Sequence, residues 1–385
     1  MVRGAGTSSR WEDRSGLLDW RAMPKRSAVL GMLVSAMCAG LALASNLAAQ
    51  TLPFERLPAS ELAVMAPSER VMGAPGSMRI AITSCTAADE PNVRRRILDI
   101  AVQEWGYFGF PVVDETLIDD DRDRGRGLPR RFTWLDPAES ARVAASIAGY
   151  WAATRDGGWI LARQNDHWNG PEGIGARWRD PWSAAFISWV MCESGLGSDE
   201  RFRRHIAHHV YIDQAIEARD DPDSAAAYAA YDVGELPLEP GDLVCRARRG
   251  AYRSIAERRR DLGVGVRSHC DIVVDVQPEH GRVLAIGGNV RGRVSLKFLP
   301  ATFRTNGVEH VATSIGRGGR IVFAHLKLRA PSIEAGALAE SATLRALSAR
   351  TNGTFTVERL LAREQVAPGN AFDSAVQGGD VAASP

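Results

Sequence analysis

Lysine is almost missing from this chain. Only Lys25, Lys297 and Lys327 stand among 47 basic residues, and all the others are arginine. The skew is read as codon composition, since either residue serves on most of a solvated surface. An excess of charge is missing too: 46 acidic residues leave a formal net charge of +1. A nucleic-acid binder usually shows a strongly basic domain, so no nucleic-acid partner is expected. Cysteine is scarce. Five residues without a CxxC spacing are too few for a disulfide-stapled scaffold. There is no internal repeat. With 45% apolar and 24% charged residues, the composition excludes a fully disordered chain, a collagen-like fibre and a multi-span membrane protein.

The one long apolar run lies near the start. Lys25 and Arg26 precede residues 28–44, which are nearly all apolar or small. A basic segment, an apolar segment and small residues at its end describe a secretory signal peptide. Cleavage after Ala44 or after Ala49 fits the small-residue rule, and Met23 is the better start for such a signal. The alternative is an uncleaved anchor, which would be the chain's only membrane contact. Export places the protein in the periplasm or outside the cell, where disulfides are permitted. Four cysteines then remain: Cys85, Cys192, Cys245 and Cys270.

Along the mature chain, residues 50–90 read as a linker or extended arm, rich in Pro, Ala, Ser and Met. Ile97, Leu98, Ala101 and Trp105 then form a stripe at helical spacing. Residues 117–131 read as a charged loop, Glu139–Ala153 as a helix, and 154–179 as a long structured loop. Asp180-Pro181 has the signature of a helix start, with Asp as N-cap and Pro in the first turn. A further helix is expected from Glu200 to Arg219. Strand-like periods follow at Asp242–Ala247, Ser268–Val276, Val283–Gly287, Val294–Phe298 and Arg320–Leu328. Helices followed by a run of strands predict an α+β fold with an antiparallel sheet of about five strands. The domain is expected over 91–330, with a low-complexity tail over 331–385. That tail has one helix near 333–349 and reads as disordered from 366.

Three segments carry chemistry-bearing residues in a telling order. Trp182-Ser183-Ala184-Ala185-Phe186 opens a helix, Ser268-His269-Cys270-Asp271 opens a strand, and Gly287-Gly288-Asn289 ends the next one. A helix N-terminus stabilises negative charge on a nucleophile or an oxyanion. A histidine moves the proton, and a third polar group fixes its tautomer. The first segment resembles the Trp-Cys-Ala-Ala-Phe-Val-x-Trp segment of CHAP-type amidases. Pro240-Gly241-Asp242, the histidine strand and the Gly-Gly-Asn turn resemble their later motifs in order. Together with Arg94–Asp114, the pattern is similar to a proteobacterial domain-of-unknown-function family, family 2272, placed in the CHAP/NlpC-like branch of the papain-like hydrolases. That resemblance spans about 90–330 and implies a peptidase or amidase fold acting on cell-wall peptides. It implies Ser183 as nucleophile, His269 as base and Asn289 as orienting residue, with no cofactor and no metal. Serine stands where the family's usual nucleophile is cysteine. A hydroxyl is not ionised by a helix terminus as a thiol is, so Ser183 requires a true general base.

Several residues stand outside that constellation. Ser188 reads as structural. Cys192, well inside the helix, reads as a buried inert thiol. Cys245 and Cys270 fall on neighbouring strands and are either a cross-strand disulfide or two buried thiols. His205, His208 and His209 share a helix in this reading, with no third metal ligand evident, and are taken as a packed or solvated face. Residues 246–260 hold seven arginines. They are read as a solvated helix, with contact to anionic wall polymers as the alternative.

The expected function is therefore an exported, papain-like hydrolase cleaving amide bonds in peptidoglycan stem peptides. Two alternatives stand beside it. One is a catalytically silent module that binds wall peptides or a partner protein in the same groove. The other is an esterase, because serine–histidine pairs attack esters more easily than amides.

Overall fold

The computed structural model describes residues 54–86, 92–117, 135–353 apart from 308, and positions 357, 358 and 361. The expected signal segment, the charged loop beyond Leu117 and the tail at 366–385 lie outside the described residues. Within them the chain is α+β, with seven α-helices and one large mixed sheet.

Helix α1 (Val93–Tyr107) buries Ile97, Leu98, Ala101 and Trp105 completely, as the stripe predicts. Helix α2 (Pro137–Ala152) begins where Asp136 accepts the Glu139 N–H at 2.8 Å. Helix α3 (Gly157–Trp168) lies within the stretch expected to be a loop. Its Gly157-Gly158 start looks like a helix breaker, but a Cβ at Gly157 would sit 1.9 Å from the Trp151 carbonyl oxygen. The glycine permits close packing there, and the helix proceeds.

Helix α4 (Ser183–Glu193) is buried at every position. Its N-cap position is Trp182 rather than Asp180, and no side chain caps it. Asp180 is instead paired with Arg163 of α3. Trp182 is fixed by stacking, with ring centroids 5.9 Å from Phe108 and 5.6 Å from Tyr150. Aromatic pairs of this kind contribute about 0.5–1.5 kcal/mol each beyond their burial.

Helix α5 (His209–Asp220) starts nine residues later than expected. The reason is a set of side chains that take the backbone groups a longer helix would need. Gln214 accepts the Arg203 N–H at 2.7 Å and donates to the Asp199 and Glu200 carbonyls. Ser188 accepts the His205 N–H and donates to its carbonyl, both at 3.1 Å. His205 and His208 therefore precede the helix rather than sharing it with His209.

Eight strands make the main sheet: β3 (Val112–Asp114), β4 (Tyr228–Tyr231), β5 (Leu243–Ala247), β6 (Ser268–Gln277), β7 (Arg282–Val290), β8 (Arg293–Asn306), β9 (Glu309–Ile315) and β10 (Ala324–Leu328). Their order is β3-β8-β7-β6-β5-β10-β4, with β9 also paired to β8. The five expected strands are β5 to β8 and β10. The three additional ones carry weak signals: β3 is three residues long, β4 is Tyr-Ala-Ala-Tyr, and β9 is mostly polar. Because β3 joins β8 in parallel, the sheet is mixed rather than purely antiparallel.

The helices cover the sheet face that carries Leu243, Cys245, Cys270, Ile272, Ile286 and Leu296. The other face carries Val244, Val273, Val283, Ala285 and Leu299. Asp242, from the Pro-Gly-Asp motif, is fully buried and joins several elements. It takes Arg94 at 2.8 Å, His325 at 2.8 Å and the Leu328 N–H at 3.1 Å. That motif is structural.

The stretch read as an arm is packed where it is described. Phe54, Leu57 and Leu62 are buried beside helix α7 (Ala342–Arg350). A small β1–β2 hairpin (Val71–Met72 with Arg79–Ile80) follows the buried Arg70, whose Nε donates to Glu193 Oε1 at 3.2 Å. Cys85 forms a disulfide with Cys192, so Cys192 is not a free thiol. Cys245 and Cys270, directly opposite on β5 and β6, form the second disulfide. The arginine-rich insertion contains only a short helix, α6 (Ile255–Arg259). Its Arg258 is buried and grips Asp213 through two 2.7 Å bonds. Among the described residues no helix is long and apolar enough to cross a membrane.

Candidate active site

A cavity of about 800 Å³ opens where the start of α4 meets the ends of β5, β6 and β7. Ser183, His269 and Asn289 all line it. So does His208, which the sequence pattern did not single out as a partner for Ser183.

Ser183 is the first residue of α4, and its hydroxyl faces His208. The Ser183 Oγ to His208 Nε2 distance is 2.7 Å. The other ring nitrogen of His208, Nδ1, is hydrogen-bonded to the Tyr211 hydroxyl on the first turn of α5. Serine, imidazole and phenol thus form one buried chain. Burial, reinforced by the nearby His269, holds the His208 imidazole well below its usual pKa, so the ring is neutral at pH 7. Burial pushes the Tyr211 phenol up, and the negative charge of Asp271 adds to that. Tyr211 is accordingly neutral and serves as a hydrogen-bond partner, not as a counter-ion.

His269 lies on the opposite wall, with its ring centroid 5.4 Å from that of His208. No hydrogen bond joins it to Ser183. Its Nε2 is 2.8 Å from Asp271 Oδ1. Residues two apart on a strand share a face, so the pair forms from β6 alone. Asp271, rather than Asn289, is the side chain hydrogen-bonded to His269. Asn289 sits at the rim with a φ of 56°, and no hydrogen bond links its side chain to either histidine.

The carboxylate of Asp271 is also paired with the fully buried Lys297 of β8. Burial opposes the charge on Asp271, but His269 and Lys297 outweigh it and keep the carboxyl well below the usual range. Burial lowers the His269 imidazole, and Asp271 only partly offsets this. Lys297 is lowered by burial and by Arg246. Arg246 in turn is held by Glu115 at 3.1 Å. Gly287 of β7 lies beside this pair. A Cβ there would fall 1.9 Å from Asp271 Oδ1 and 3.2 Å from His269 Nε2, so glycine leaves the room in which the pair forms.

Ser188, five residues further along α4, only anchors the 205 backbone. Among the described residues no group of three His, Cys, Asp or Glu side chains is placed to hold a metal ion. His208 is committed to Ser183 and Tyr211 rather than to a histidine cluster. The sequence did hold a signal for it: His208 stands three residues before Tyr211, and that spacing brings the two side chains onto one side of a helix start.

The arrangement defines an α+β domain with a serine and two histidines around one cavity. Residues 141–324 match the model of a family described as "Uncharacterized protein conserved in bacteria (DUF2272)". That segment holds every residue lining the cavity and every side chain of the site except Glu115. No curated protein and no solved structure matches the chain.

Proposed function

We propose that the domain is a papain-like, CHAP/NlpC-type hydrolase with serine as nucleophile, exported and acting on amide bonds of cell-wall peptides. The observation that carries this reading is the 2.7 Å contact between Ser183 Oγ and a neutral buried imidazole at a helix start. In the productive tautomer, His208 Nδ1–H donates to the Tyr211 hydroxyl, and Nε2 accepts the Ser183 proton. Serine attack on the acyl carbon then gives an oxyanion. The first N–H groups of α4 have no intrahelical acceptors and supply donors for it. His208 then returns the proton it took to the leaving amine, and His269, held through its Nε2–H by Asp271, keeps Nδ1 unprotonated to take a proton from the incoming water. Two neutral bases suit the two halves of an acyl-enzyme cycle.

The two disulfides support export, because such bonds persist in oxidising compartments. They fit the signal-like segment at 23–49.

The test uses the mature chain with purified peptidoglycan, reading soluble fragments by mass spectrometry. Wild type should release fragments, and Ser183→Ala should release none. Fragment release by Ser183→Ala would sink the nucleophile assignment. One observation favours the silent binding module as a second reading: the Ser183 hydroxyl is already satisfied by the buried His208–Tyr211 chain. In that case Ser183→Ala binds wall peptides as wild type does, and neither cleaves. Turnover of an activated ester without fragment release would instead identify an esterase.

A further inference from the structure

Six arginines line the cavity, namely Arg179, Arg246, Arg248, Arg249, Arg267 and Arg320, against one carboxylate, Asp180. The chain as a whole is nearly neutral, so this is a local concentration of positive charge. Asp180 is already neutralised by Arg163, and Arg246 by Glu115. The cavity's two histidines are held neutral by burial. Among the described residues, Arg179, Arg248, Arg249 and Arg267 have no ion pair and are exposed to solvent.

Their placement makes the charge costly to leave unmatched. The β5–β6 ladder runs out through Arg246 opposite His269 and Ala247 opposite Ser268. The next step sets Arg248 against Arg267, joined by an N–H to carbonyl bond of 2.8 Å. Like charges directly across a ladder repel. Arg249 then adopts a φ of 58°, a conformation that favours glycine or asparagine. A second hollow of about 410 Å³ continues from the cavity over Arg248, Arg249, Val266 and Arg267 alone. Repulsion, unfavourable backbone and a ready-made hollow converge on one segment of the cavity that Ser183 also lines.

We propose that Arg248, Arg249 and Arg267, with Arg179 across the cavity, form a subsite for the carboxylates of an acidic peptide. This rests on the hydrolase reading for the neighbouring amide, but its binding term stands apart from cleavage. Guanidinium forks take carboxylates bidentately, and such charge-assisted bonds are about twice as strong as neutral ones. The peptide lies with its scissile amide at Ser183 and its carboxylates over the β5–β6 end. Clustered guanidiniums also raise the encounter rate with anions, and salt screens that attraction.

The test is calorimetric titration of the protein carrying Ser183→Ala, so that cleavage plays no part in the readout. Pentaglutamate is the probe, with pentalysine and inorganic tripolyphosphate beside it, at low and at raised NaCl. Pentaglutamate should bind, more weakly at high salt, and pentalysine should not. Arg248→Gln with Arg267→Gln should weaken binding by about tenfold or more. Both side chains are exposed, and unchanged thermal unfolding will show that the variant folds. Arg267→Gln alone is the second variant and should give part of the loss. Absence of pentaglutamate binding, or equal binding by the arginine variants, overturns the subsite. Tripolyphosphate binding without pentaglutamate binding overturns it in favour of a phosphate ligand. Arginine-dependent binding by a wild-type protein that cleaves nothing supports the subsite and overturns the hydrolase reading alone.

Discussion

His269 Nε2 lies 2.8 Å from Asp271 Oδ1, and Lys297 closes on the other oxygen of the same carboxylate. Two side chains from one strand and one from two strands away thus hold a single buried charge system beside the cavity. Asp271 and Lys297 are almost wholly shielded from water. Each therefore depends on the other, because an unpartnered buried charge is far more costly than a pair.

Asp271→Asn should destabilise the fold by about 3–5 kcal/mol, since it leaves Lys297 buried with its main counter-charge gone. Adding Lys297→Met should recover most of that loss. Urea unfolding of the two variants checks both statements. If Asp271→Asn unfolds at the wild-type urea midpoint, the charge system does not hold the fold. On the proposed hydrolase reading, peptidoglycan cleavage should be impaired in both variants, because His269 lacks in each the carboxylate that fixes its ring.

The helices around α4 were legible because their apolar spacing is strong: Ile97, Leu98, Ala101 and Trp105 sit where the stripe puts them. Five of the eight main-sheet strands were legible from period-two runs. Helix α3 was hidden by Gly157, whose role is contact with the Trp151 carbonyl and not flexibility. Strand β3 is too short to show a period, and it adds a parallel pair to the sheet. At the site, Ser183, His269 and Asn289 were legible as motif positions. His208 was not, because the segment before α5 reads as helix until Gln214 and Ser188 are seen to take its backbone groups. Asp271 is not legible as the partner, because the motif order puts the orienting side chain on the next strand, at Asn289, whereas the contact forms between two residues of β6 itself.

Acid should unfold the protein in two stages. His208 and His269 both titrate below the usual 6.5 in the folded chain. Between those depressed values and 6.5 the unfolded chain binds more protons, so stability falls as pH drops through that range. Asp271 is also depressed, and its contribution is lost as pH falls below the unfolded carboxylate value of about 3.9. Denaturation midpoints measured from pH 7.5 to 3 should show both losses. His208→Gln should remove part of the first stage and leave the second. A stability profile that rises on acidification from pH 7 to 5 would contradict the buried neutral imidazoles.

The disulfides should differ in weight. Cys85–Cys192 spans 107 residues and Cys245–Cys270 spans 25. Chain entropy predicts about 5 kcal/mol for the first and about 3.5 kcal/mol for the second. Paired serine variants, Cys85→Ser with Cys192→Ser and Cys245→Ser with Cys270→Ser, compared by guanidinium unfolding, test the order. Equal midpoints for the two would mean that native packing, not loop length, sets their contributions.

The identity of the base can be read without knowing the natural substrate. The described cysteines are all paired, so Ser183→Cys introduces a single addressable thiol into the mature chain. At a helix start and beside an imidazole, a thiol's pKa falls from about 8.5. Its alkylation by iodoacetamide should therefore run faster at pH 6–7 than that of a free thiol with ordinary pKa, and the rate–pH profile should shift to lower pH. Adding His208→Gln should return the profile toward 8.5 if the 2.7 Å contact is the one that moves the proton. Adding His269→Gln in its place should change the profile little, since that ring is bonded to Asp271 and not to position 183. The opposite pattern, a profile governed by His269, would mean that the cavity rearranges when its nucleophile ionises. The base would then be the strand histidine that the motif order implies, and His208 would hold the serine only at rest.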